Sequence, residues 1–350
     1  MIWLWLEFLA CVAVIVAAGY FLVRFGDVIA SKTGLGRLWA GAILIATATS
    51  LPELFTGVSS VLIFDVPDLT VGTLLGSCVF NLLLLVMLDF MSGKRSFFDG
   101  VNPAYIVEAA FSLVLVAVVA LGLFLSDGFK SFPWIWPGSI LLPLIYVFAV
   151  RITMREGRYP PYVQASNTRT RNTSHNKEES RKVRNTRKRA KRRISLGKAI
   201  LGYAISAALV IGVSLWLPGV AERIAARTGI GTSVIGGILV ALTTSLPEIV
   251  TTLAAFRMGA ADMAFSNVAG SNMFNILILG IDDMLYFKGP ITSHVSSTHL
   301  ATALIVMGMT GVAIAALAVR KQRKFLRLSW ASWVLVAGFL LNTLILALLR

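Results

Sequence analysis

The chain is 350 residues long, 57% hydrophobic and only 14% charged, with a formal net charge of +15 and a mean hydropathy of +0.79. A soluble domain of this length cannot hide so much apolar surface, which leaves an integral membrane protein. Such a charge would suggest nucleic acid in a soluble protein. Here all 32 Lys and Arg lie outside or at the edges of the apolar stretches, so no nucleic-acid partner is expected.

Ten stretches are apolar over lengths that can cross a bilayer. The first, residues 3–23, has no basic leader and no small-residue cleavage site, so it reads as a retained helix. It is followed by 38–62, 69–90, 103–125 and 133–151. Residues 198–217, 233–256, 263–286, 296–319 and 328–349 form a second set of five. The expected fold class is therefore an all-α integral membrane protein, with residues 1–151 as one five-helix repeat and 198–350 as the other. Residues 152–197 join them. From Arg155 to Arg193 this connection is basic and poor in apolar residues, the composition of a disordered loop held near anionic lipid head groups. Its only acids are Glu156, Glu178 and Glu179, too few for a calcium-sensing domain, and no D-x-D-x-D-G loop occurs anywhere. Cys11 and Cys78 lie in different spans and read as small core residues.

With the N-terminus outside, the inside loops collect 27 of the Lys and Arg and the outside keeps 5. The positive-inside rule then places both termini outside and the basic loop in the cytoplasm.

The chain repeats itself. Residues 28–53 (VIASKTGLGRLWAGAILIATATSLPE) and 223–248 (RIAARTGIGTSVIGGILVALTTSLPE) share 14 of 26 positions at an offset of 195. Residues 68–89 and 262–283 continue the echo at an offset of 194. Five spans separate each motif from its copy, an odd number, so the copy enters the membrane in the opposite sense. Inverted repeats place their equivalent residues about a pseudo-two-fold axis, with the substrate site where they meet.

Each copy holds a Pro-Glu pair in an apolar run, and a carboxylate at membrane depth is expensive unless something binds it. On a helix Thr49, Ser50 and Glu53 share one face. Pro52 has no N–H, so the carbonyl of Ala48 is released. Ala241, Thr244, Ser245, Pro247 and Glu248 rebuild the cluster, with Pro247 releasing the carbonyl of Thr243. The second motif gives another wall: Ser77 and Asn81 in G-S-C-V-F-N, Ser271 and Asn275 in G-S-N-M-F-N, with Gly76 and Gly270 permitting close helix approach. All-oxygen ligands suit Na⁺, Ca²⁺ or Mg²⁺. Two carboxylates balance one dication, two monovalent cations or two protons, the physical basis for exchange at one site. Glu108 has no copy and is expected to pair internally. Asp68, Asp89, Asp262 and Asp283 sit near span ends, where capping or cation steering is expected. His294 and His299 show no ligand spacing.

At these residues the chain resembles the cation/calcium exchanger superfamily, specifically its prokaryotic sodium/calcium exchanger-like members. The resemblance covers both motif pairs and the ten-helix plan. It implies Glu53 and Glu248 as central ligands. Thr49, Ser50, Thr244, Ser245, Ser77, Asn81, Ser271, Asn275 and the carbonyls of Ala46 and Ala241 would complete the Na⁺ and Ca²⁺ sites. It also implies first and sixth helices that slide across the other eight. Members often carry Asp at one of the positions held here by Asn81 and Asn275, and Cys78 breaks the symmetry with Asn272. The expected function is Ca²⁺ export against inward Na⁺ by alternating access, with proton coupling as the rival and a cation channel as the more distant one. No bond is made, so no enzyme activity and no cofactor is expected beyond the transported ions.

Overall fold

The computed structural model describes residues 2–33, 49–129, 134–156, 194–257, 259–319 and 322–348. Most of the basic connection, the first half of the second expected span and Ala46 within it lie outside the described residues.

The described chain is almost wholly helical. In order, α1 is Ile2–Thr33, α2 Leu51–Leu62, α3 Pro67–Met91, α4 Ile106–Phe124 and α5 Pro137–Glu156. The second set is α6 Leu196–Thr228, α7 Leu246–Arg257, α8 Ala261–Leu285, α9 Thr298–Ala318 and α10 Trp330–Leu348. A two-residue hairpin, Lys324–Phe325 against Leu328–Ser329, precedes α10. Among the described residues, seven helices are long and apolar enough to cross a membrane: α1, α3, α4, α6, α8, α9 and α10. Ile235–Thr244 with α7 makes an eighth, bent by 48° at its break, while α2 and the apolar part of α5 are shorter.

Two helices outrun their expected ends. Helix α1 has 32 residues, against the expected 3–23, and α6 has 33, against 198–217. The flanking charges explain the difference. Arg24 and Lys32 are exposed on a helix that continues past them, because a charge marks the edge of the apolar slab and not the end of backbone hydrogen bonding. Pro218 does not stop α6 either. It has no N–H to give the carbonyl of Ser214, and Ser59 Oγ of α2 donates to that carbonyl instead, at 3.2 Å. Helix α6 ends on Gly229, whose φ of +69° suits a residue without Cβ.

The long helices pack along each other. Phe25 lies against Gly202 and Tyr203 against Gly26, and Glu7 takes hydrogen bonds from Arg223 and Trp216, both at 2.7 Å. Each also leans on the opposite half, α1 on α7 and α6 on α2. The enclosed centre is α3 against α8, covered by α4, α5, α9 and α10.

Four aspartates fasten this arrangement in matched pairs, which is capping, one of the two roles expected of them, the other being cation steering. Asp89 accepts from the backbone of Phe97 (2.8 Å) and Ser329 (2.7 Å) and from Ser332 Oγ (2.7 Å). Asp283 accepts from the backbone of Ile291 (2.6 Å) and Trp136 (2.9 Å) and from Ser139 Oγ (2.7 Å). Asp68 accepts from the backbone of Ser296 and Asp262 from that of Asn102, each at 2.7 Å. Burying a carboxylate among several N–H and O–H donors offsets its desolvation. Asp68 also takes His299 Nε2 at 3.0 Å, which accounts for that buried histidine. Lys324 Nζ stands 3.2 Å from Asp89, and Lys288 pairs with Asp65 at the opposite end.

Candidate cation site

The site grows from a defect in the backbone. Before α7 the chain makes a π-helical turn, Ile235–Val240, then a short helix, Ala241–Thr244, and then breaks at Ser245. Pro247 lacks the N–H that would bond Thr243, as the sequence predicts, and the chain bends there. The π turn contains Gly236 and Gly237, and α3 lies directly on it. A methyl added to Gly76 would stand 2.8 Å from Gly237 Cα and 2.9 Å from Ala241 Cβ, and closer still to the Gly237 carbonyl oxygen. One added to Gly236 would be 2.8 Å from the Leu69 carbonyl oxygen. Small residues thus let two backbones meet, the geometry expected of Gly76.

That approach brings the two motifs together. Ser77 Oγ lies 3.4 Å from the Ala241 carbonyl oxygen and 3.4 Å from Thr244 Oγ1. Ser50 Oγ donates to Glu248 Oε1 at 3.4 Å, across 198 residues. The hydroxyls cross over: Thr49 and Ser50 lie against Glu248, and Thr244 and Ser245 against Glu53. The two carboxylates are close enough to interact with each other. Both are buried, Glu53 at 1% exposed and Glu248 at 2%, and no lysine or arginine pairs with either among the described residues. Glu53 Oε2, Glu248 Oε2 and Ser245 Oγ have no hydrogen-bond partner among the described residues. Orphaned oxygens on two facing acids suit a cation as the missing partner.

Asn81 and Asn275 are also buried. Asn272, which sequence reading set aside as an asymmetry, orients one of these amides. Asn81 Nδ2 donates to Asn272 Oδ1 at 3.0 Å, and Asn272 Nδ2 donates to the Cys78 carbonyl at 3.3 Å. Cys78 and Asn272 are repeat equivalents that face each other where α3 crosses α8, so a small residue on one side makes room for an amide on the other. The bond leaves Asn81 Oδ1 without a partner among the described residues. Ser271 is buried, and Ala46, the counterpart of Ala241, lies outside the described residues. Glu108 takes Ser266 Oγ at 3.0 Å, and its Oε1 would stand 3.7 Å from a methyl added to Gly270, so this acid flanks the start of the second motif in repeat two. The signal that could have found Asn272 is its offset of 194 from Cys78, once a crossing of the two helices is assumed.

Comparisons with known proteins bear on the family and the fold. The family described as sodium/calcium exchanger protein matches residues 3–155 and 198–348, nearly everything except the basic connection. An uncharacterized membrane protein of Methanocaldococcus jannaschii, MJ0091, is 27% identical over 248 residues, 71% of this chain and 70% of its own. The sodium/calcium exchanger MaX1 of Methanosarcina acetivorans is 48% identical over 83 residues, 23% of each chain. Among solved structures, the sodium-calcium exchanger NCX_Mj aligns over 100% of both chains with a TM-score of 0.60 at 21% identity. The H⁺/Ca²⁺ exchanger CAX aligns over 98% of this chain and 85% of its own, with a TM-score of 0.66 at 12% identity. At these identities the structures speak for the fold alone. The extent of the family match settles membership: this chain belongs to the sodium/calcium exchanger protein family.

Proposed function

We propose that the protein is a secondary antiporter that exports Ca²⁺ against inward Na⁺ across the plasma membrane of a prokaryote, by alternating access at one site. The observation that carries this reading is the facing pair Glu53 and Glu248, each met by hydroxyls of the other repeat and each with an unpartnered oxygen. Two negative charges match one Ca²⁺, and the same charges match two Na⁺, so the ions exclude each other. Glu53 and Glu248 are the central ligands in this reading, with Thr49, Ser50, Ser77, Asn81, Thr244, Ser245, Ser271, Asn275 and the carbonyls of Ala46 and Ala241 around them. Ten helices in two inverted sets of five are supported by the paired aspartate bonds, whose equivalents fall at opposite ends of the bundle. Cytoplasmic placement of the 152–197 connection follows from its charge. Cysteine labelling tests it: residues 160–193 and Asp65 should react from opposite faces, and reaction of both from one face would refute the topology.

Proton coupling is the second reading. It is favoured by the neutral Asn81 and Asn275, which leave the site with two acids where Na⁺-coupled members often have three. Ca²⁺ uptake into proteoliposomes decides between them. An outward-directed Na⁺ gradient at fixed pH should drive uptake. Uptake driven by a pH gradient without Na⁺ would overturn Na⁺ coupling.

A further inference from the structure

A third carboxylate stands near this site, and nothing in the exchange scheme uses it. Asp282, one residue before the fully bonded Asp283, is 0% exposed, and neither of its oxygens has a hydrogen-bond partner among the described residues. It lies against α2 at Gly57. A methyl added there would be 2.9 Å from Asp282 Cγ and 3.1 Å from Oδ1, and in collision with Oδ2. Gly57 is four residues, one helical turn, beyond Glu53 on the same side of α2. Its carbonyl takes Thr70 Oγ1 of α3 at 3.5 Å. Thr70, Thr73, Ser77 and Asn81 are spaced three and four apart, so one face of α3 carries hydroxyls from the Asp68 end down to the central site. Thr73 Oγ1 and Thr56 Oγ1, the latter beside Gly57, are buried without partners among the described residues.

The other half of the molecule shows what this spot looks like when it is merely structural. The repeat counterparts of Asp282, Gly57, Thr70 and Thr73 are Leu88, Thr252, Ala264 and Asn267. There Asn267 Nδ2 closes the gap with hydrogen bonds to Thr252 Oγ1 at 2.7 Å and Thr251 Oγ1 at 3.1 Å. One end of the pathway is thus sealed by an amide, while the other holds an unpaired acid beside a bare backbone.

We propose that Asp282, with the oxygens around Gly57, is a separate subsite for one Na⁺, held in competition with a proton, on the outer approach to the Glu53–Glu248 pair. One charge sets the valence. Asp283, its acidic neighbour, is fully engaged by Trp136, Ser139 and Ile291, so a dication at Asp282 would be only half neutralised in a low dielectric. Its position on the outer side rests on the exchange topology proposed above; the subsite itself does not.

The test is equilibrium binding of radiolabelled Na⁺ to the purified full chain over a pH series, with the central site disabled by Glu53→Gln and Glu248→Gln together. That double variant should keep saturable Na⁺ binding that protons displace, and adding Asp282→Asn should weaken it at least tenfold. Gly57→Ala, which sets a methyl against the carboxylate, should weaken it similarly, with thermal melts confirming that each variant is folded. Equal Na⁺ binding with and without Asp282→Asn, or no Na⁺ binding in the double variant, overturns the subsite. Retained binding by a protein that shows no exchange in vesicles would instead overturn the antiport reading alone.

Discussion

Gly76→Ala is the most direct probe of how the site is assembled. The added methyl would lie 2.8 Å from Gly237 Cα and 2.9 Å from Ala241 Cβ, where carbon atoms prefer about 3.5–4.0 Å. The obstacles are backbone and a Cβ, which cannot swing aside, so α3 and the π turn must part by roughly 1 Å. Overpacking of this kind costs about 1–3 kcal/mol. The same movement would carry Ser77 Oγ, already 3.4 Å from the Ala241 carbonyl and from Thr244 Oγ1, out of hydrogen-bond range of both. Half-saturating Ca²⁺ for exchange in proteoliposomes should therefore rise about tenfold, since about 1.4 kcal/mol is a factor of ten, and the melting temperature should fall. Gly212→Ala in α6, where no described atom lies within 4 Å of the added methyl, is the control and should be silent. Wild-type Ca²⁺ affinity in folded Gly76→Ala protein would refute the claim that this contact builds the site.

Glu53→Gln and Glu248→Gln each keep size while removing one of two charges facing a dication. Several kcal/mol of attraction is lost at low dielectric, so Ca²⁺ exchange should drop roughly a thousandfold or more in a correctly inserted protein, and normal exchange would refute the site assignment. Asn272→Ala frees the Asn81 amide and breaks a hydrogen bond worth about 1 kcal/mol. Ca²⁺ affinity measured by calorimetry should weaken severalfold, and an unchanged value would show that Asn81 needs no orienting partner. Replacing residues 160–193 by a flexible linker should leave exchange intact once the protein is correctly inserted, and loss of exchange would give the connection a direct role.

The central pair was legible in the sequence because duplication repeats chemistry along with fold. A carboxylate preceded by proline is costly once, and its inverted recurrence singles out the candidate site. Asn272 and Asp282 were illegible for the opposite reason: each departs from its repeat counterpart, Cys78 and Leu88, so the repeat gives them no echo. Only contact across the α3–α8 crossing and the α2–α8 contact reveals what they touch. Asp282 was further hidden by its neighbour, since at the offset of 194 Asp283 is the one matched by an acid, Asp89. The lengths of α1 and α6 escaped because hydropathy measures the slab and not the helix. The π turn escaped because two glycines in an apolar run can equally mean tight packing, which here they also provide.

The two long helices carry a consequence of their own. A helix rises about 1.5 Å per residue, so 32 or 33 residues extend roughly 48–50 Å, against about 30 Å of hydrocarbon. Part of each helix lies beyond the charged edge of the slab, but the apolar span of α1 alone, Ile2–Gly26, still rises about 38 Å, and an apolar excess is accommodated by tilt or by local thickening of the bilayer. Because α1 and α6 lie along each other, their mismatch acts on one shared body, and in the sliding scheme that body changes its inclination with every cycle. Membrane thickness then enters the balance between inward-open and outward-open forms as a mechanical load. Reconstitution in lipids of graded chain length reads it: turnover should peak at one thickness, and a flat response would show that the helices do not tilt.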